Sequence, residues 1–427
     1  MTSTRYSLGP VPEAGRPVQA CRFCNGPLSI PFCNLGATPL ANSYVEPSKS
    51  ALPDPVYPLE ARVCERCWLV QLSYIADARA IFSDYAYFSS YSSGWLAHAA
   101  DFAGESRHRL GLGAGSFVVE VGSNDGYLLK YFVAAGIACL GVEPAANVAA
   151  AAVAAGVPTA VRFFGLATAE ELVRDRDHAD LVIANNVLAH VPDINDFVAG
   201  LSHLAGPQGV VSIEVPHVVR LVEGCQFDTI YHEHYAYWSL LSMEHVLEAH
   251  GLKVFDVQRL RTHGGSLRVW ATASPAAESA PSLVQVRAEE ASLGVDTAAW
   301  YTGFEPRVKG VLEAARSFLG AARRSGRQVA AYGAAAKGNT FLNALGATSE
   351  DIEFVADRNP SKQGRLLPGS RIPVLGPEAV IARRPDFLLI LPWNIADEVA
   401  SEMSDMAAWG GRFVVAVPEL RVFEVRP

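Results

Sequence analysis

From Phe117 to about Ala273 short apolar runs alternate with alanine-rich segments of helical period, and this alternation constrains the fold more than any other feature. The runs FVVEVG, CLGVEP, DLVIANNV and GVVSIEVP carry almost no polar alternation. Strands of that kind are buried on both faces, which requires crossover helices packed on either side of a parallel sheet. An α/β architecture is therefore expected. Residues 252–260 and 266–273 form two more strand-like runs, joined by only 261–265. A connection that short cannot cross over a sheet, so the two should close it as an antiparallel pair. Residues 276–325 read as helical, and a second α/β set follows in QVAAYGA, IEFVAD, FLLILPW and FVVAVPE.

The segment ahead of this block is different. Residues 21–80 are rich in proline, cysteine and turn residues, and they are expected to hold too few apolar residues to fold by packing alone. Cys21-x-x-Cys24 and Cys64-x-x-Cys67 supply four thiols in two close pairs. Two-residue spacing turns both sulfurs of a knuckle toward one ion, so tetrahedral Zn2+ is expected, one per chain. With all four positions filled by protein, the zinc would be structural. Cys33, Cys139 and Cys225 are left over.

Net charge is −9 with no basic run, which argues against a nucleic-acid partner. No apolar stretch approaches the ~20 residues of a membrane span, and residues 1–20 lack a signal-peptide core. A cytoplasmic protein with reduced cysteines, away from membranes and monomeric, is the expectation.

Val118-Val-Glu-Val-Gly-Ser-Asn-Asp-Gly126 places a strand before a glycine turn that opens a helix. Gly122 lets the chain turn tightly against a ligand, and Gly126 permits close approach at the helix start. Glu143 ends the following strand, about 20 residues after Glu120, where a carboxylate can accept hydrogen bonds from ribose hydroxyls. The pattern is E-x-G-x-x-x-G and lacks the G-x-G-x-x-G of dinucleotide sites. S-adenosylmethionine is accordingly the expected ligand, on Glu120, Gly122, Asn124, Asp125, Gly126, Glu143 and Asn185; a nicotinamide dinucleotide is the alternative. A second turn, Tyr332-Gly333-Ala-Ala-Ala-Lys337-Gly-Asn339, has Ala335 where a dinucleotide motif has its central glycine. Two readings stay open there: a Rossmann-like fold without ligand, or a diphosphate site at the helix start with Lys337 as counter-charge.

Asp228-Thr-Ile-Tyr231-His232-Glu233-His234-Tyr235 concentrates titratable groups just after a strand. A surface loop or satisfied core histidines would explain it blandly. Chemistry explains it better: an imidazole removes a proton made acidic by a ketone, a carboxylate orients the ring, and tyrosine hydroxyls bind the enolate. His190, in NNVLAHVPD, follows the fourth strand, at the edge that faces the ligand crevice of an open α/β sheet.

Taken together, the CxxC pairs, YAYFSS, VEVGSNDGYLL, NNVLAHVPD, FDTIYHEH, HGGSLR and YGAAAKGN resemble the zinc-containing C-methyltransferases of nucleotide-linked 4-keto deoxysugars. The resemblance covers nearly the whole chain. It implies a zinc-binding module over 1–80, a Rossmann-like class I methyltransferase domain over 81–275 and a second Rossmann-like domain over 276–427 that takes the nucleotide sugar. It implies methylation at C3 of a 4-keto-6-deoxysugar, with His234 taking the C3 proton. Glu233, Tyr231, His190 and Tyr85 would line the sugar and stabilise the enediolate. Tyr87, His263, Arg268, Lys337 and Asn339 would contact the substrate. A nicotinamide-dependent sugar oxidoreductase remains the rival reading.

Overall fold

The computed structural model describes residues 8, 14–77, 89–91 and 93–424; Tyr85 and Tyr87 lie outside them. The chain folds in order through β1 Ile30–Thr38, β2 Tyr57–Val63 and β3 Val70–Leu72, then β4 Phe117–Val121, β5 Ala138–Glu143, β6 Thr159–Val161, β7 Leu181–Asn185 and β8 Val210–Pro216. Next come β9 Ala236–Tyr237, β10 Lys253–Leu260 and β11 Ser266–Thr272. Last are β12 Val329–Tyr332, β13 Val355–Ala356, β14 Val374–Leu375, β15 Phe387–Ile390, β16 Arg412–Val415 and β17 Arg421–Glu424.

The expected parallel sheet is present, with strand order β10-β11-β8-β7-β4-β5-β6. β4 through β8 are parallel, and β10 and β11 close the edge as an antiparallel hairpin. This is the class I methyltransferase arrangement. The buried valines and isoleucines of β4, β7 and β8 are covered on one side by helix Ile194–Ala205 and on the other by helix Ser93–Leu110, whose Phe102 stacks on Trp270. The strand order reverses at β4, which opens a crevice at the carboxyl ends of β4, β5 and β7. The C-terminal sheet, β14-β13-β12-β15-β16-β17, is parallel except for β17 and reverses at β12. It is Rossmann-like as expected.

The amino-terminal segment completes its core with residues from elsewhere in the chain: β1, β2 and β3 bury Phe32, Leu59, Ala61, Val63, Val70 and Leu72 in a core shared with the C-terminal domain. Phe32 stacks on Phe304 with ring centroids 4.6 Å apart. Phe304 begins helix Phe304–Arg324, whose buried face runs Phe304, Val308, Leu312, Ala315, Leu319 and Ala322 at helical spacing. The sheet of the first segment is completed by β9, the strand that directly follows the histidine cluster: Val70 pairs with Tyr237 and Gln71 with Ala236. The metal module and the histidine loop therefore share one sheet. Among the described residues no helix is long and apolar enough to cross a membrane.

Candidate active site

The four cysteines converge as the spacing requires. Their sulfurs all lie within 4.8 Å of one another and are buried. Cys21 and Cys67 sulfurs are 3.6 Å apart, Cys24 and Cys64 3.4 Å. A tetrahedral zinc with ~2.3 Å bonds holds sulfurs about 3.8 Å apart, so the cluster needs only slight expansion to fit the ion. Gln71 donates its amide to Cys21 Sγ at 3.1 Å and the Arg66 backbone N–H lies 3.4 Å from Cys64 Sγ, the outer contacts a thiolate needs.

At the first glycine turn, Gly122 has φ +68° and a Cβ there would lie 2.4 Å from Val187. Gly126 has φ +77° and a Cβ would lie 2.9 Å from Val157. Only glycine allows this path. Glu143, buried at the end of β5, accepts from the Asn124 N–H through Oε2 and from the Ala145 N–H through Oε1, both at 2.9 Å. Each oxygen keeps a second lone pair. Burial raises the Glu143 carboxyl above its ordinary range, and these two amides pull it back. Asn124 Oδ1 and Asp125 Oδ2 accept from the backbone of Ser89 and Ser90, so both residues also hold the turn that covers the site. Among the described residues, Glu120 Oε2, Asp125 Oδ1, Asn185 Oδ1 and Ser123 Oγ are buried and find no hydrogen-bond partner. Buried acceptors left over at a crevice suit a ligand carrying positive charge and hydroxyls. S-adenosylmethionine fits that requirement.

The two histidines meet at the adjoining edge. His190 ends a short turn after β7, and its Nδ1 lies 2.8 Å from the Glu233 carbonyl. His234 Nδ1 lies 2.9 Å from the Thr229 carbonyl. A carbonyl only accepts, so in each ring Nδ1 carries the proton and Nε2 carries the lone pair. His234 Nε2 receives the Tyr231 hydroxyl at 2.9 Å, and the two imidazoles stand edge to face with centroids 4.8 Å apart. The Tyr235 N–H donates to Ala189 O at 2.7 Å and ties the two loops together. Burial pushes His190 down to about 4. It pushes His234 well below its ordinary value, with the His190 ring adding to the effect. Both rings are neutral near pH 7. Burial lifts Glu233 to about 7, and Asn42 donates to its Oε1 at 2.6 Å. His232 turns away, toward the Tyr57 and Pro58 carbonyls.

The remaining candidates are spread out. Lys337 lies over the Trp393 ring at 4.7 Å, and Trp393 Nε1 donates to Asp228 Oδ2 at 2.8 Å. Burial lifts Asp228 to about 6, against the pull of Lys337. Asn339 is buried and donates to Ala41 O at 3.1 Å. His263 sits in the β10–β11 turn at φ +53°, with its ring 5.2 Å from Trp95. Arg268 is buried against Glu214 at 3.1 Å, with its guanidinium over Phe102; its charge is committed to the protein. Asn42, Asp228 and Trp393 were not singled out in the sequence. Asp228 opens the histidine motif and so carried a usable signal, whereas a lone Asn42 in a loop and Trp393 after a strand carried none.

Comparison with known proteins agrees with this geometry. The "Putative zinc binding domain" family matches residues 21–82, a methyltransferase domain family matches 95–257, and the C-methyltransferase C-terminal domain family matches 261–418. Among solved structures, the magnesium protoporphyrin IX methyltransferase of Synechocystis PCC 6803 with bound SAM is 16% identical, with 42% of this chain and 78% of that one covered and a TM-score of 0.30. The 1,6-didemethyltoxoflavin-N1-methyltransferase of Burkholderia thailandensis is 18% identical over the same shares, with a TM-score of 0.31. Scores that low carry no argument, and the fold rests on strand order instead. The C-methyltransferase NovU of Streptomyces niveus is 37% identical over 410 residues, covering 95% of this chain and 97% of that protein. With identity at that level from the cysteine knuckles through the last sheet, the chain belongs to the S-adenosylmethionine-dependent C-methyltransferases that carry an amino-terminal zinc-binding module.

Proposed function

We propose that the chain methylates C3 of a nucleotide-linked 4-keto-6-deoxysugar, with His234 as the base. One observation carries the reading: a neutral imidazole whose Nε2 lone pair accepts only the exchangeable Tyr231 hydroxyl among the described residues, set edge to face against a second neutral histidine. The C4 ketone of such a sugar acidifies the C3 hydrogen. His234 Nε2 takes that proton, and the C3–H electron pair becomes the C3–C4 double bond of an enolate. Tyr231 turns its hydroxyl from Nε2 to the developing oxyanion, and His190 and Glu233 hold the neighbouring hydroxyls. The bound donor supplies an electrophilic sulfonium methyl, which the C3 carbon attacks as the sulfur–methyl bond breaks. Because the sulfonium needs little activation, orientation and enolate stabilisation supply most of the rate. The sugar's diphosphate is assigned to the start of helix Ala336–Leu345, with Lys337 as its counter-charge. The family resemblance alone assigns Tyr85 and Tyr87, which lie outside the described residues, to the sugar, and His263 and Asn339 are assigned to its border.

Mass spectrometry of methyl transfer to a panel of nucleotide keto-sugars tests the substrate class, and no methylation of any member would overturn it. His234→Asn tests the base. An amide replaces a hydrogen bond but not a base, so turnover should fall on the order of 10²–10⁴-fold. Without donor, the wild type should exchange the C3 proton with deuterated water and the variant should not. Undiminished exchange in His234→Asn would move the base to His190.

A further inference from the structure

We propose that Arg22, inside the first cysteine knuckle, is a positioning residue for His190 and His234, so that the fold of the metal module sets the spacing of the two rings. The inference rests on the histidines being the reacting pair. Arg22 is 2% exposed, and its guanidinium reaches out of the knuckle into the loops that follow both histidines. Nη1 donates to Val191 O and Pro192 O, each at 2.8 Å, directly after His190. Nη2 donates to Tyr235 O at 2.6 Å, directly after His234. A planar fork with fixed donor directions holds three carbonyls in one geometry, which a flexible ammonium does not.

The knuckle is itself fixed from both sides. The Arg22 N–H donates to Gln71 Oε1 at 3.0 Å, and the same Gln71 donates to Cys21 Sγ. Asn195 Nδ2, from the helix that follows the His190 loop, donates to Arg22 O and Phe23 O at 3.1 and 3.0 Å. The Tyr235 carbonyl also receives the Leu72 N–H at 3.0 Å, so the module's sheet and its knuckle grip the same peptide. Among the described residues the guanidinium has no carboxylate within ion-pairing distance, and its Nε has no partner. Burial pulls the Arg22 pKa down to about 10, opposed by Cys21 and Asp193, and a charge buried in this way is a poor source of stability, whereas a fixed geometry is what the three carbonyl contacts deliver.

The test uses the full chain with Arg22→Lys, which keeps the charge but reaches fewer carbonyls. One zinc equivalent and donor affinity within about twofold of wild type should be retained, while turnover and donor-free C3 exchange fall together by about 10–100-fold, the scale of an ångström-level misplacement. The Michaelis constant for the sugar should change little. In spectra of chain labelled with 15N-histidine, the Nε2 signals of His190 and His234 should move, and those of exposed His108 and His178 should not. If Arg22→Lys loses zinc or fails to fold, Asn195→Ala tests the same link from the outside, with the same pair of signals moving and a smaller loss of turnover. Histidine signals and turnover that match wild type in a folded, zinc-loaded variant would overturn the proposal. A wild type that neither methylates nor exchanges would overturn the functional reading instead, and the spectra would still decide the role of Arg22.

Discussion

Two glycine turns in this chain look alike as sequence, and the structure separates them. Both follow a buried strand at the point where strand order reverses, and both have an acidic residue at the end of the next strand. At the first turn that residue, Glu143, gives one lone pair of each oxygen to a backbone amide and keeps the others, and four buried acceptors nearby find no partner among the described residues. At the second, Asp357 accepts from the Asn359 N–H at 2.8 Å and lies 3.5 Å from Lys362 Nζ. The amino-terminal module also closes over this turn: Tyr44 donates to Ala334 O, Asn339 holds Ala41 O, and Val45 pairs with Leu366. A carboxylate at the right register is a binding group only where its lone pairs are left unspent.

The sharpest way to break this contrast is to remove each acid in turn. Glu143→Ala should weaken donor binding by about 1–3 kcal/mol, the cost of losing a charged hydrogen-bond acceptor. Asp357→Ala should leave donor affinity within about twofold, because its contacts are already internal. Calorimetry giving the reverse would exchange the roles of the two turns.

A smaller effect is expected from Lys337→Met. If the second turn holds a diphosphate, the Michaelis constant for the nucleotide sugar should rise about 10-fold, with donor affinity unchanged. No change in that constant would leave the second sheet as a scaffold only. The substitution also removes the cation from the Trp393 face, so loss of thermal stability without any kinetic effect would point to the same conclusion.

What the sequence made legible follows the range of the interactions. The doubly wound sheet could be read because buried parallel strands leave unbroken apolar runs, and the cysteine cluster because ligand spacing is local. β1, β2 and β3 could not. β1 carries two register shifts that break its alternation, β3 has only three residues, and their core is supplied by Phe304 and Tyr301 from far along the chain. The short strands β6, β14 and β17 lack the length for a period to show. Within the site, His190, Glu233 and His234 stood out by composition, but Asn42 reaches Glu233 across a sequence separation that no local pattern records. Arg268 shows the opposite case: it sits in a conspicuous motif, yet β11 pairs it with Glu214 of β8, and the strand register decides its partner.

The smallest effect concerns pH, and its two halves run in opposite directions. Glu143 is held above the ordinary carboxylate range by burial, with two backbone amides opposing the shift. Donor hydroxyls need the carboxylate, so binding favours the deprotonated form and donor affinity should fall as the pH is lowered from 7 to 5. At the second turn, burial lifts Asp228 to about 6, with the nearby Lys337 charge working against the shift. If Lys337 takes the diphosphate as proposed, an ionised Asp228 competes with it for that cation's field. Protonating it frees that cation, so affinity for the nucleotide sugar should rise over the same interval. The diphosphate ester itself does not titrate there, but Glu233, lifted to about 7, titrates beside the sugar as well, so the assignment to Asp228 rests on its own substitution. Each effect should stay within about fivefold, because a single partly screened charge contributes on the order of 1 kcal/mol. Calorimetric titrations of donor and of nucleotide sugar at pH 5, 6 and 7 would read both. Curves that fall in parallel would mean that one shared group governs the two turns, and Asp228→Asn, which should flatten the sugar curve alone, identifies whether that group is Asp228.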